Sequence, residues 1–291
     1  MNAPSASTLR EPGALLPLGR GSLQPGAVLG RIGTLEVRLA RNDDEIRAAQ
    51  EIRYKVFYEE LGARRPQGGH FSNLDFDRFD EICDHLLVLD TAVEGPESRQ
   101  IVGTYRLLRQ DVAIATGGFY SEDEFELRGL VSRHPDRRFL ELGRSCVLPA
   151  YRSKRTIEVL WQGCWAYVNH YGIDVMTGCA SFQGRVPAAH AEALSFLAHH
   201  CRAEGEWAIR AVADRFQPMD LMPIEAVSLR SAMNAMPPLI KGYLRLGARI
   251  GEGCVVDHEF GTVDVCIVMP VKSLDARYVS HYSPDATRFA A

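Results

Sequence analysis

The chain has 291 residues, 46% of them hydrophobic and 24% charged, with a net charge of −4. That size and balance indicate a soluble globular protein of one large domain or two small ones. The mild acidity excludes general nucleic-acid binding, which requires a basic surface.

The predicted elements run as follows. Residues 1 to 33 are rich in Pro, Gly, Ser and Ala and show no periodic apolar face, so they read as a tail. "TLEVRLA" (34–40) alternates as a half-buried strand does. "NDDEIRAAQEIRYKVFYEELG" (42–62) is a helix, opened by Asn42 and Glu45 in capping-box spacing and closed by Gly62. The polar stretch 62–84 is longer than a plain connection needs. "HLLVLD" (85–90) and "IVGTYRLLR" (101–109) form a strand hairpin. "SEDEFELRGLV" is a short helix, with Ser121 and Glu124 spaced as a capping box. "RFLELGRSCVL" (138–148) is a strand interrupted by Gly143, which signals a bulge or a close backbone approach.

A helix over 153–172, a buried strand over 173–181 and a helix over 186–201 follow. Two helical pieces separated by Pro237 and Pro238 occupy 218–248, and strands 253–260 and 262–271 close the domain. The order predicts an α/β (α+β) fold: a mixed central sheet flanked by helices, with a C-terminal helical insertion and terminal strands. The domain is expected to span 34–275, with a second tail over 276–291.

Seven cysteines, an odd number without C-x-x-C, read as reduced core residues of a cytoplasmic protein. No apolar run is long enough to cross a membrane, and no signal peptide opens the chain. The helical pieces around 219–246 carry Arg230, Lys241, Arg245 and Arg249 beside apolar residues. Core packing is the first expectation for them, with transient contact at a membrane surface as the alternative.

Chemistry concentrates at three places. Lysine occurs at only four positions among 33 cations, so 29 are arginines, the side chain suited to bidentate binding of carboxylate and phosphate. Arg152, Lys154 and Arg155 surround Ser153 at the start of a helix, a natural seat for phosphate and an unfavourable place for unbalanced cations. Neither a dinucleotide glycine motif nor a P-loop is present. "DFDRFDE" supplies Asp75, Asp77 and Asp80, with no histidine and no calcium-loop glycine, so no metal is expected. Arg53, Arg106 and Arg144 stand in otherwise apolar elements, and a buried arginine requires a carboxylate partner. The acidic segment and Glu141 are the expected partners. Phe57, Trp161 and Trp165 are read as core first and acyl-cavity lining second.

Taken together, Arg53 with Phe57, "LDFDRFD", "VGTYRLL" with Arg106, and "ELGRSCV" with Glu141 and Arg144 resemble the acyl-homoserine lactone synthase branch of the GNAT acyltransferase fold. The later segments "LPAYRSKRTIEVLWQG", "GCASFQG", "PPLIKGYLRLGARIG" and "DHEFGTVDV" resemble the ornithine N-acyltransferases more closely. Aspartate stands at Asp75 where the synthase pattern has glutamate, and "RSKRTI" lacks the glycines of the usual GNAT phosphate loop.

The resemblance covers about residues 35 to 271. It implies transfer of a 3-hydroxyacyl group from acyl carrier protein to the α-amine of L-ornithine, giving lyso-ornithine lipid, with no tightly bound cofactor. It implies a catalytic set of Glu141, Arg144 and Arg106, and a substrate-binding set of Arg53, Phe57, Asp75, Asp77 and Asp80. Ornithine's side-chain ammonium is expected on the acidic segment, at Asp77 or Asp80. The phosphopantetheine arm would lie by Gly143 and Val147, with its phosphate at Arg152, Ser153, Lys154 and Arg155. Glu141 is either the base or an orienter of an arginine. A cytoplasmic enzyme with transient contact at the inner membrane face is implied. The rival readings are a lactone synthase, another amino-acid N-acyltransferase, and a non-catalytic carrier-binding or hemolysin-like protein.

Overall fold

In a computed structural model, residues 21–64 and 73–274 are described. Their apolar runs form eight strands in one sheet: β1 (Val28–Ile32), β2 (Leu35–Leu39), β3 (Asp84–Asp90), β4 (Ile101–Arg109), β5 (Phe139–Val147), β6 (Val175–Gln183), β7 (Arg249–Asp257) and β8 (Thr262–Pro270). The order across the sheet is β1-β2-β3-β4-β5-β6-β8-β7. Every neighbouring pair is antiparallel except β5–β6. The helices are α1 (Asp43–Tyr54), α2 (Glu97–Gln100), α3 (Gln110–Thr116), α4 (Leu127–Arg133), α5 (Lys154–Tyr171), α6 (Ala191–His200), α7 (Leu229–Ala235) and α8 (Pro238–Leu246).

α5 carries a stripe of buried Val159, Leu160, Trp161, Cys164, Trp165 and Val168 and lies on β1, β2 and β3. Each such large side chain contributes roughly 1.5–3 kcal/mol by leaving water. Gly163 permits the close approach, since a Cβ there would meet the Val37 side chain at 2.6 Å. Ser153 caps the helix by accepting a hydrogen bond from the Thr156 amide, and Gly172 ends it in the left-handed conformation. Trp161 and Trp165 are therefore core, as periodicity favours. On α8, Ile240, Tyr243 and Leu246 are buried, so its apolar face also packs inward. Among the described residues, no helix is long and apolar enough to cross a membrane.

Four local readings change. The first strand, β1, lies inside the stretch read as a tail, because Gly30 and its neighbours pair with β2. Of the two expected tails, 1–20 and 276–291 lie outside the described residues. The helix over 42–62 is α-helical only to Tyr54 and continues as a wider π-helical turn, Lys55–Glu60, which turns Phe57 toward Phe260. At its start Asn42 caps the Glu45 amide, while the Glu45 carboxylate turns to the Arg41 amide and buried Arg38. Ser121 and Glu124 do not form a capping box. A 3-10 turn (Tyr120–Asp123) and α4 replace that helix, because the Ser121 amide is drawn to Glu141.

Candidate active site

β5 and β6 pair only at Phe139–Val175, Leu140–Met176 and Glu141–Thr177, and then part. Gly178 stands just past the last pair with φ +151°, and a Cβ there would lie 2.3 Å from the Leu142 carbonyl oxygen. Beyond that point the facing edges of both strands border a cavity of about 570 Å³. Its wall includes Phe57, Glu141, Gly143, Arg144, Tyr243 and Asp264. Gly143 has nothing within 4 Å of where a Cβ would stand, so its backbone is open to the cavity. The edge of a parted parallel pair offers unmated backbone groups to an extended ligand.

The bulge expected at Gly143 falls on the next two residues. Gly143 pairs with Arg106 and Cys146 with Thr104, leaving Arg144 and Ser145 opposite Tyr105 alone. Arg144 adopts φ +50°, alone among the described non-glycine residues in having positive φ. Such a conformation costs on the order of 1–3 kcal/mol and persists when the surroundings hold it. Here the guanidinium lies between the rings of Phe260 (4.4 Å) and Tyr120 (4.8 Å) and bonds Asp75 and Asp77 at 3.3 and 3.1 Å. Burial works against its charge, but Tyr120, Asp75 and Asp77 outweigh burial and hold the group well above its ordinary value.

The other two arginines complete the network. Arg53 is fully buried, with Nη2 2.6 Å from both the Asp80 carboxylate and the Asp75 carbonyl and Nε 2.8 Å from the Asp75 carboxylate. Arg106 Nη1 donates to Asp77 at 2.5 Å and to Asp80 at 3.4 Å. Asp77 also caps a 3-10 turn, Arg78–Glu81, in a reciprocal box with Asp80. Three aspartates thus balance three guanidiniums. Burial raises the Asp77 carboxyl, and Arg106 and Arg144 more than reverse this, so it lies below its ordinary value. The expected pairing of acidic segment with core arginines is what the structure contains. The same contacts leave Asp77 and Asp80 already neutralised, which removes the reason to place an incoming ammonium on them.

Glu141 departs from the expected partnership. Its oxygens accept the Tyr120 and Ser121 amides, each at 2.8 Å, and among the described residues no arginine bonds it. Burial pushes its carboxyl above the usual range, against the opposing pull of Ser121, the two amides and Arg106. A buried cavity-wall carboxylate with a raised pKa is suited to taking a proton near neutrality. Cys179, which lines the cavity, is pushed well above its ordinary value by burial and Glu124, which argues against a thiolate nucleophile there.

At the helix start, Arg152 is held in a bidentate pair with Glu60 (2.5 and 2.6 Å), and its Nε donates to the Val147 carbonyl. Lys154 is exposed beside Glu158 at 3.4 Å, and Arg155 is exposed. The first turn of α5 contains no acidic residue.

Three carboxylates escaped sequence reasoning: Glu124, Asp257 and Asp264 are buried, with ligand atoms within 4.8 Å of one another. Asp264 stands in the apolar strand TVDVCIVMP just as Glu141 stands in its own, and that was the available signal. Tyr105 and Tyr243 were also missed; their hydroxyls bond each other at the cavity wall.

Residues 52–162 match the family model described as an acetyltransferase (GNAT) domain. An L-ornithine N(alpha)-acyltransferase from Agrobacterium fabrum is 59% identical over 261 residues, spanning 90% of this chain and 89% of that protein. The chain belongs to the L-ornithine N(alpha)-acyltransferase family. A family member from Brucella abortus is 58% identical over 90% of this chain and 93% of its own length. One from Rhodobacter capsulatus is 43% identical over 85% and 94%. Among solved structures, an N-acyl amino acid synthase, FeeM, from uncultured soil microbes aligns at a TM-score of 0.48 and 10% identity, over 87% of this chain and 96% of that one. Membership makes the protein an acyltransferase with a GNAT-like mixed sheet and sets aside the non-catalytic, hemolysin-like reading.

Proposed function

We propose that the protein transfers a 3-hydroxyacyl group from acyl carrier protein to the α-amine of L-ornithine, giving lyso-ornithine lipid and the free carrier thiol. The observation that carries this reading is the cavity between the parted strands, with Glu141 on its wall, in a chain 59% identical to a protein named for that acceptor. The pantetheine arm lies along the open strand edges by Gly143 and Val147, and the thioester carbon reaches Glu141. The amine attacks directly, and Glu141 takes its proton at a carboxylate oxygen, itself or through one water. Collapse of the tetrahedral adduct breaks the C–S bond and forms the amide. Arg144 and Arg106 shape this wall through the aspartate network. The test incubates the purified chain with 3-hydroxyacyl carrier protein and L-ornithine and reads the products by mass spectrometry. An acyl-ornithine with release of carrier thiol is expected; acylation of glycine alone, or a lactone from S-adenosylmethionine, overturns the reading.

The donor's phosphate is assigned to the start of α5, on its backbone amides with Ser153, Lys154 and Arg155, while Arg152 serves through its pair with Glu60. Acyl carrier protein is acidic, so the exposed cations also steer its docking. The double substitution Lys154→Glu and Arg155→Glu is expected to raise KM for acyl carrier protein by roughly tenfold or more, with little change in kcat. Wild-type kcat/KM should fall as salt is added, and the variant's much less. Equal salt dependence in both would place the docking surface elsewhere.

A further inference from the structure

Beside the arginine-balanced network lies a second carboxylate cluster that is not balanced. Glu124, Asp257 and Asp264 converge, each less than one-tenth exposed, with Asp257 and Asp264 on the cavity wall and Glu124 behind them. Arg215 reaches Glu124 at 3.2 Å. Asp257 Oδ1 accepts the amides of Glu259 and Phe260 at 2.7 and 3.0 Å. Asp264 is 5% exposed and lines the cavity, and the Ser181 and Thr262 hydroxyls lie close enough to hold its carboxyl down against burial. Its Oδ1 nevertheless has no hydrogen-bond partner. A buried, unpartnered carboxylate oxygen is costly unless something arrives to bond it. Burial and neighbouring carboxylates hold both acids up, Glu124 to about 7 and Asp264 to about 6, so the site resists its own negative charge until a cation enters.

The cluster is also next to Glu141. The Ser121 amide bonds Glu141, and the Cys179 thiol bridges from the Ser121 hydroxyl (3.3 Å) to the Glu124 carboxylate (3.2 Å). A molecule with one amine at Glu141 and a second cation on a short flexible arm can therefore fill both places. A hard divalent cation fits less well. It wants six or more oxygen ligands, whereas here Arg215 and two backbone amides already occupy carboxylate oxygens.

We infer that Asp264, with Asp257 and Glu124, is the subsite for the side-chain ammonium of the acceptor, and that it selects a dibasic amino acid over neutral ones. This rests on the proposed ornithine acylation and adds the group that enforces it. The test compares acylation of L-ornithine with that of L-norvaline, which has the same carbon skeleton without the side-chain ammonium. It uses the full chain, Asp264→Asn and Glu124→Gln. Wild-type kcat/KM is expected to favour ornithine by roughly 10- to 100-fold, the scale of a charge-assisted hydrogen bond. Either substitution should reduce that ratio at least tenfold, mainly through KM for ornithine. Asp264→Asn should unfold no earlier than wild type, since it removes a mutually repelling charge without changing shape, whereas Glu124→Gln also weakens the pair with Arg215 and is compared with wild type only where both are fully folded. An unchanged ratio overturns the subsite, as does an ornithine activity that a chelator abolishes and magnesium or calcium restores. If wild type acylates norvaline as well as ornithine, the subsite fails while the acyltransferase reading stands. If wild type acylates norvaline or glycine but never ornithine, both fall.

Discussion

Glu141→Gln is expected to lower kcat by about two to four orders of magnitude, the range general-base catalysis supplies. The substitution keeps the volume of the side chain but removes the proton acceptor. It also turns one NH2 group toward a backbone amide that now donates to a carboxylate oxygen, since both Glu141 oxygens are engaged by Tyr120 and Ser121. A stability loss of about 1–3 kcal/mol follows from that mismatch. Activity is therefore compared at saturating ornithine and well below the unfolding temperature. A purely structural role would lower activity through the folded fraction alone. A base role also removes one titration from the acid limb of the kcat/KM profile, because protonating the raised Glu141 carboxyl helps to switch wild type off as pH falls, whereas the ornithine amine and the Glu124 and Asp264 carboxyls titrate in both enzymes. Turnover within a few-fold of wild type, or an acid limb of unchanged shape in the variant, would show that Glu141 is not the base.

The largest effect on stability is expected at Asp80, which does not line the active-site cavity. Asp80→Ala should cost about 3–5 kcal/mol, the scale for breaking a buried ion pair by removing one partner. Its Oδ1 accepts from Arg53 at 2.6 Å, and its Oδ2 accepts the Asp77 amide at 2.9 Å and Arg106 at 3.4 Å. Removing it leaves a fully buried Arg53 with Asp75 as its remaining carboxylate and takes away half of the reciprocal cap on the turn that aims Asp77 at Arg106. The midpoint of urea unfolding reads the loss. A cost under about 1 kcal/mol would mean that the network contributes no more than an exposed ion pair does.

The arginine–aspartate network is legible in the sequence. Guanidiniums in apolar elements demand partners, and "DFDRFD" was an acidic segment long enough to reach them. The strand and helix order was legible from periodicity for the same reason that α5 packs well: its stripe matches one face of the sheet. What escaped depends on distant backbone. Glu141 was expected beside arginines, yet its partners are two amides some twenty residues upstream, and amides have no signature in composition. The Glu124 cluster joins a turn, the end of β7 and β8, three places that no spacing rule connects. Arg152 looked free because its partner, Glu60, lies on a π-helical turn that the 3.6-residue pattern does not foresee.

The parting of β5 and β6 has a consequence for engineering. The end of the cavity where the strands begin to part is set by main chain: Gly178 brings β6 against the Leu142 carbonyl, and no side chain there can be trimmed to widen it. A change of acyl length must come from side chains of the lining, to which α8 contributes Leu239 and Tyr243. Libraries for altered donor range belong on α8 and its two leading prolines, and positions along the seam are best left untouched.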